Sequence, residues 1–456
     1  MSSILIKNIK EIITMDDKNN RLKNYDLLIK DNKIVKIAKN IDQNQIINLN
    51  EIIRAKEYFL YPGLINTHHH FYQTLTRNIA EVQNSELFNW LKTLYPIWAN
   101  LTEEAVYYST LLASAELLKT GCTTTTDHFY VFPDDQPDKL IDSEFEAASE
   151  IGIRFHGTRG SMSLSEKDGG LPPDEVVQNS DEILKDSERV INKYHDKSPF
   201  AMQRVSLAPC SPFSVTEEHM KKSIKLARKY GVQSHTHVAE TKDEEQYTID
   251  KFGLRPLEYM EKIGWVGDDV WYAHGVHLTE AELDRMSETQ TAVAHCPVSN
   301  QKLASGAANI PYMLENDVPV ALGVDGSASN DSSNMILEMK SAFLMHRLIS
   351  GIKAISAEDV LNMATNGGSK LLNQPEIGSI KEGKAADMFL VNSKRLGYAG
   401  GLSDPVSALI NTGDTQIVDY TIVNGKVVVR NGKLTTYDER EIIEKANYIS
   451  QEMING

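Results

Sequence analysis

From residue 64 to residue 324 the chain alternates short apolar runs with helical stretches, and the run recurs eight times. The runs occupy 64–67, 122–126, 153–156, 205–208, 232–236, 270–273, 292–294 and 318–324. Longer segments, among them 103–119, 216–230, 279–286 and 335–348, read as helices between them. Strand followed by helix, eight times over, predicts an α/β fold of the (β/α)₈ TIM-barrel type rather than an open sheet. No segment repeats another at a fixed period, which excludes a solenoid.

The two ends have a different character. Residues 3–7 and 25–29 read as strands parted by the turn-rich stretch 16–20, and Asp31-Asn32-Lys33 turns into a third strand at Ile34. Towards the other end, 387–391 and 420–423 are strand-like, and Asn424-Gly425 is a hairpin signal leading into Lys426. Neither set suffices alone. The expectation is a small β-sandwich domain composed of 1–60 and 370–456, flanking a barrel of 61–369.

Composition narrows the partners. A net charge of −16 argues against nucleic acid or an anionic membrane, since phosphate would be repelled. The three cysteines, Cys122, Cys210 and Cys296, are too few and too scattered for a disulfide framework. No basic-then-apolar leader and no stretch of ~18 apolar residues is present, so a cytoplasmic protein is expected, acting on a small molecule and forming a homo-oligomer.

Chemistry-bearing side chains stand where the predicted strands end. The first run ends in His68-His69-His70, the fifth in His237 with Glu240 just beyond, the sixth in His274, the seventh in His295-Cys296 and the eighth in Asp325. In a barrel these ends share one mouth. Side chains two apart in an extended segment point the same way, so His68 and His70 can reach one ion. His237 and Asp325 complete a nitrogen and oxygen set suited to Zn²⁺ or Fe²⁺ with a position open for water. Singly each signal is ordinary: an HxH is often structural, and an Asp before Gly is often a turn residue. Four strand ends agreeing is what carries weight.

These residues sit in longer motifs. Pro62-Gly63-Leu64-Ile65-Asn66-Thr67-His68-His69-His70, His237-Val238-Ala239-Glu240-Thr241, Ala273-His274-Gly275-Val276-His277, His295-Cys296-Pro297-Val298-Ser299-Asn300 and Gly323-Val324-Asp325-Gly326 resemble, in order, the amidohydrolase superfamily. Within it they resemble the branch of guanine, cytosine, triazine and adenosyl-compound deaminases. The resemblance spans essentially the whole chain. It implies one divalent metal, Zn²⁺ or alternatively Fe²⁺, held by His68, His70, His237 and Asp325. Two-metal members carry a lysine at the fourth strand end, and Ala208-Pro209-Cys210-Ser211-Pro212 has none.

The stretches around Gln73, Trp98 and Ser329 are most similar to 8-oxoguanine deaminases and hydroxytriazine aminohydrolases. Trp98 stands where adenosyl-compound deaminases of the branch have a ribose-binding glutamate, which favours a free base. The arginine that guanine deaminases place beside the fourth strand end is missing at Ser211-Pro212. The resemblance thus implies hydrolysis of 8-oxoguanine to urate and ammonia, with guanine, isocytosine or a hydroxytriazine as alternatives and a non-catalytic binding protein as the contrasting class. Glu240 would shuttle protons, His274 would orient the attacking oxygen and contact substrate, and Asp325 would serve as ligand and base. Gln73 and Trp98 would hold the base, the Gln73 amide offering donor and acceptor together.

Several residues admit plainer roles. Glu240 could stabilise a helix N-terminus. His277 could replace His274, His69 could be packing, and His295 and Cys296 could brace the barrel. Phe88, Trp90, Tyr95 and Trp98 could form core or pocket wall. Asp243-Glu244-Glu245 reads as a solvated face.

Overall fold

The computed structural model describes residues 2–136, 139–412 and 417–456. Five strands come first: β1 (Ser3–Ile13), β2 (Arg21–Lys30), β3 (Lys33–Ala38), β4 (Leu49–Arg54) and β5 (Tyr58–Pro62). The central eight are β6 (Leu64–Asn66), β7 (Cys122–Phe129), β8 (Arg154–Ser161), β9 (Gln203–Pro209), β10 (Ser234–Val238), β11 (Val270–His274), β12 (Ala292–His295) and β13 (Val320–Leu322). The last four are β14 (Met388–Asn392), β15 (Tyr420–Val423), β16 (Lys426–Arg430) and β17 (Lys433–Leu434).

Strands β6 to β13 form one eight-stranded sheet in chain order, with every pair parallel. The sheet closes on itself, because the Thr67 amide donates to the Leu322 carbonyl (3.0 Å) and the Asp325 amide to the His68 carbonyl (3.0 Å). All eight apolar runs are therefore barrel strands, as the alternation predicts. Several run beyond the apolar residues, among them β8, which continues to Ser161. β7 extends to Phe129 and β10 to Val238, because threonine and histidine, polar yet compatible with strands, continue the ladder beyond the apolar residues. Four of the outer helices start at threonine caps: Thr102, Thr216, Thr241 and Thr279 each accept a backbone N–H from the first turn.

The remaining nine strands form a separate mixed sheet drawn from both termini. The ends meet where β14 runs antiparallel to β5, Met388 opposite Pro62 and Asn392 opposite Tyr58. On one edge β1 pairs with β2. On the other it changes partner, with residues 3–7 beside β4 and Glu11-Ile12 beside β5. A bulge at left-handed Asn8 (φ 55°) separates the two halves. This sheet has its own core, including Ile4, Ile6, Leu27, Leu60, Met388 and Ile422. The Asn424-Gly425 turn has φ of 48° and 78°, and a Cβ on Gly425 would stand 1.9 Å from the Asp31 carbonyl oxygen. Only glycine fits there. Sheet and barrel are joined by a buried ion pair in which Arg154 Nη2 lies 2.9 Å from Asp387 Oδ2.

Candidate metal centre and active site

The carboxyl ends of β6, β10, β11 and β13 bring His68, His70, His237, His274 and Asp325 together at one mouth. Asp325 Oδ1 is 3.3 Å from Nε2 of both His68 and His70, and His237 Nε2 is 3.2 Å from His70 Nε2. His68, His237, His274 and Asp325 are all buried. Ala239, His274 and Asp325 have left-handed backbones (φ 55°, 72° and 62°). Strained conformations of this kind in non-glycine residues gather at functional sites, and here they turn the chain sharply off three strand ends.

Hydrogen bonds on the far side of each ring fix its tautomer. His70 Nδ1 faces the His128 carbonyl (2.8 Å) and His237 Nδ1 the Cys210 carbonyl (2.7 Å), so both nitrogens carry hydrogen. His235 Nδ1 donates to the Trp271 carbonyl (3.0 Å), which leaves its Nε2 to accept from His68 Nδ1 (2.8 Å). Three bare Nε2 lone pairs therefore converge with the Asp325 carboxylate. Protonated rings could relieve the repulsion, but burial holds His68 well below the usual imidazole range and His237 down at about 3. A divalent cation is what this cradle fits, and the orientation of each ligand by a partner behind it is typical of such sites.

Two of these histidines are absent from the strand-end reading. His235 lies inside β10 on the same face as His237, and its ring stacks on Trp271 at 4.4 Å. His128 lies in β7, donates from Nε2 to the Ala208 carbonyl (2.8 Å) and stacks on His237 at 4.7 Å. The signal for His235 was present: His235-x-His237 has the spacing of His68-x-His70. Cys210 also faces the cavity, where burial pushes its thiol up to about 12 and keeps it neutral.

Beside the cradle, His274 Nε2 is 3.5 Å from Glu240 Oε2 and 3.9 Å from Asp325 Oδ2, while its Nδ1 meets Asn300 Oδ1 at 2.9 Å. Burial pushes the Glu240 carboxyl up, opposed by His274. Burial depresses His274, but Glu240 and Asp325 outweigh it and raise the ring. Burial would raise Asp325 as well, yet its contacts with His68 and His70 hold it well below the usual carboxylate range. His277 lies outside this group and faces the Ser305 carbonyl (2.9 Å); His69 turns away to Ser333 (2.9 Å). His295 pairs with His346 at 3.0 Å.

A small cavity of about 30 Å³ lies over the cradle. Its polar side includes Gln73, whose Oε1 is buried without a partner. Gly326 makes room for that amide, since a Cβ there would stand 1.8 Å from Gln73 Oε1. Leu87, Trp90 and Leu91 cover the other side. Trp98, expected against the base, does not line this cavity. On the helix Leu87–Trp98 it lies two turns beyond Trp90, fully buried against Tyr72, Trp90 and Tyr95, with Nε1 donating to Thr76 Oγ1 at 3.1 Å. Trp90 takes the place at the wall. The acidic run is also corrected: Glu244 is fully buried, and its carboxylate accepts the amides of Ala239 (2.8 Å) and Glu240 (2.9 Å).

A cluster of metal-ligand side chains at the mouth of a barrel is where enzymes of this fold keep their active sites, and the fold and site place this protein among the metal-dependent barrel hydrolases. The model described as the amidohydrolase family matches residues 59–428, so the chain belongs to the amidohydrolase family. It is 45% identical over 402 residues to 8-oxoguanine deaminase of Pseudomonas aeruginosa, covering 88% of this chain and 89% of that one. It is 38% identical over 470 residues to hydroxydechloroatrazine ethylaminohydrolase of Pseudomonas sp. strain ADP, covering 100% and 97%. The crystal structure of atrazine chlorohydrolase TrzN from Arthrobacter aurescens TC1 complexed with zinc superimposes with a TM-score of 0.94 at 30% identity, covering 98% of this chain and 100% of that one. Among the described residues no helix is long and apolar enough to cross a membrane.

Proposed function

We propose that this protein is a hydrolytic deaminase of a free purine-type base, converting 8-oxoguanine and water to urate and ammonia. The observation that carries the chemistry is the approach of Glu240, His274 and Asp325 around one point beside the cradle. A divalent metal, Zn²⁺ by the chemistry of three imidazoles and a carboxylate, would be held by His68, His70, His237 and Asp325 and would supply Lewis acidity that makes water nucleophilic near pH 7. Glu240 takes a proton from the attacking water and passes it to a ring nitrogen, a task suited to a carboxyl whose affinity for protons is raised by burial. His274, raised by its two carboxylate neighbours, holds the attacking oxygen in line from Nε2. Asp325 takes the second proton and gives it to the departing ammonia. Gln73 presents an unpaired carbonyl oxygen to an N–H on the edge of the base.

The choice of base rests on the 45% identity to an 8-oxoguanine deaminase. A hydroxytriazine aminohydrolase is the second reading, favoured by the 38% identity to hydroxydechloroatrazine ethylaminohydrolase. Ammonia release from 8-oxoguanine, guanine, isocytosine, a hydroxytriazine and 5′-deoxyadenosine separates these. Fastest turnover of 8-oxoguanine, abolished by chelation and restored by Zn²⁺, is the expected result. Fastest turnover of the triazine would select the second reading, and efficient turnover of the nucleoside would overturn both.

A further inference from the structure

We infer that Glu244 is the positioning residue that aims Glu240 at the reacting base, an inference that rests on the shuttle role proposed for Glu240. Strand β10 ends at Val238 and the next helix, Lys242–Phe252, begins four residues later behind its cap Thr241. The amides of Ala239 and Glu240 fall in the gap, where neither the barrel ladder nor the helix offers them an acceptor. Glu244 supplies both. It occupies the third position of the helix, from which a glutamate ordinarily reaches back to the amide of the cap residue. Here the carboxylate reaches further: Oε1 accepts from Ala239 N at 2.8 Å and Oε2 from Glu240 N at 2.9 Å.

The carbonyl side of the same turn is held by the neighbouring loop. Gly275 N donates to the Val238 carbonyl (3.1 Å) and His277 N to the Ala239 carbonyl (2.9 Å). The left-handed residue Ala239, at φ 55°, is thus gripped from both sides. Its successor in the chain is Glu240, whose carboxylate reaches His274 at 3.5 Å and Ser305 Oγ at 3.5 Å. Glu244 itself is fully buried. A purely local cap would need one acceptor oxygen at the cap amide. Glu244 instead commits both oxygens to the segment that carries the shuttle.

Glu244→Gln is the first test. It is nearly isosteric, but it leaves one acceptor and turns an NH₂ group against the other amide. The expected result is a fall in kcat of ~10- to 100-fold, the scale of a misplacement of about 1 Å, with KM within about twofold and metal content unchanged. The deciding measurement is the cycle with Glu240→Gln. If Glu244 acts through Glu240, the double variant is no slower than Glu240→Gln alone. Losses that multiply, or an unchanged kcat in Glu244→Gln, would overturn the inference. Should Glu244→Gln fail to fold, Glu244→Asp, which keeps both oxygens one methylene short, is run through the same cycle. A wild-type rate in Glu240→Gln alone would instead remove the shuttle, and this inference with it.

Discussion

Nδ1 of His68 lies 2.8 Å from Nε2 of His235, and that contact decides which nitrogen of His68 faces the cradle. His235 is locked in turn by donating to the Trp271 carbonyl at 3.0 Å. The order of protons along Trp271, His235 and His68 is therefore set from the barrel interior outwards. A ligand oriented in this way binds metal more tightly than one free to choose its tautomer.

Replacing His235 with Phe keeps the stack on Trp271 and removes the acceptor behind His68. The predicted effect is a loss of ~10- to 100-fold in metal affinity, read by competition with a chromogenic chelator, with the far-ultraviolet circular dichroism unchanged. Unaltered affinity would mean that His235 is packing only.

Glu240→Gln should bind metal as the wild type does and lose ~10²- to 10⁴-fold in kcat, the usual contribution of a general acid or base. Gln matches Glu in shape and cannot carry a proton. Metal analysis and steady-state rates on one preparation separate this outcome from a collapsed site, in which metal and rate would fall together.

The two tryptophans of the helix Leu87–Trp98 should part in their effects. Trp90→Ala opens the wall of the cavity and should raise KM about tenfold or more, as removal of ~1.4 kcal/mol of binding would. Trp98→Phe loses its bond to Thr76 Oγ1 and should cost about 1 kcal/mol of stability, measured by urea denaturation, with KM unchanged. A KM effect at Trp98 and none at Trp90 would restore the sequence-based placement.

That reversal shows where sequence reasoning stops. The barrel was legible because each strand had to be apolar enough to be buried on both faces, and the metal cradle because its side chains stood at the ends of those runs. Polar residues that continue a strand are invisible to a hydrophobicity pattern, which is why His128, beyond the 122–126 run, fell outside it; His235 stood inside the 232–236 run rather than at its end, where ligands are expected. The helix Leu87–Trp98 places aromatic residues on more than one face, and only its orientation over the mouth decides that Trp90 touches the cavity while Trp98 does not. Glu244 was the hardest to see. Flanked by Asp243 and Glu245 it looks solvated, and its burial follows from unpaired amides in a turn whose shape is known only once β10 and β11 are placed.

A pair of buried carboxyls behind the His70 segment predicts how stability depends on pH. Asp127, on β7, accepts the Phe71 amide at 2.5 Å, and Glu144, on the helix Leu140–Ile151, is fully buried beside it. Burial, chiefly, pushes Asp127 up to about 7 and Glu144 well above the usual range, with Asp127 adding to the rise at Glu144. An acid whose folded pKa lies above its unfolded value binds more protons in the native state. Its stabilising effect is complete below the unfolded pKa, near 4.3 for glutamate, and is lost as pH rises towards the folded value. Gln at position 144 mimics the protonated acid, with an N–H for Asp127, and carries no such loss. Glu144→Gln should therefore gain stability over the wild type on going from pH 5 to pH 8, by up to about 1.4 kcal/mol per pH unit while the native Glu144 stays protonated. Urea denaturation of both proteins at the two pH values reads this directly. A difference between them that does not change with pH would show that Glu144 is already ionised in the folded protein.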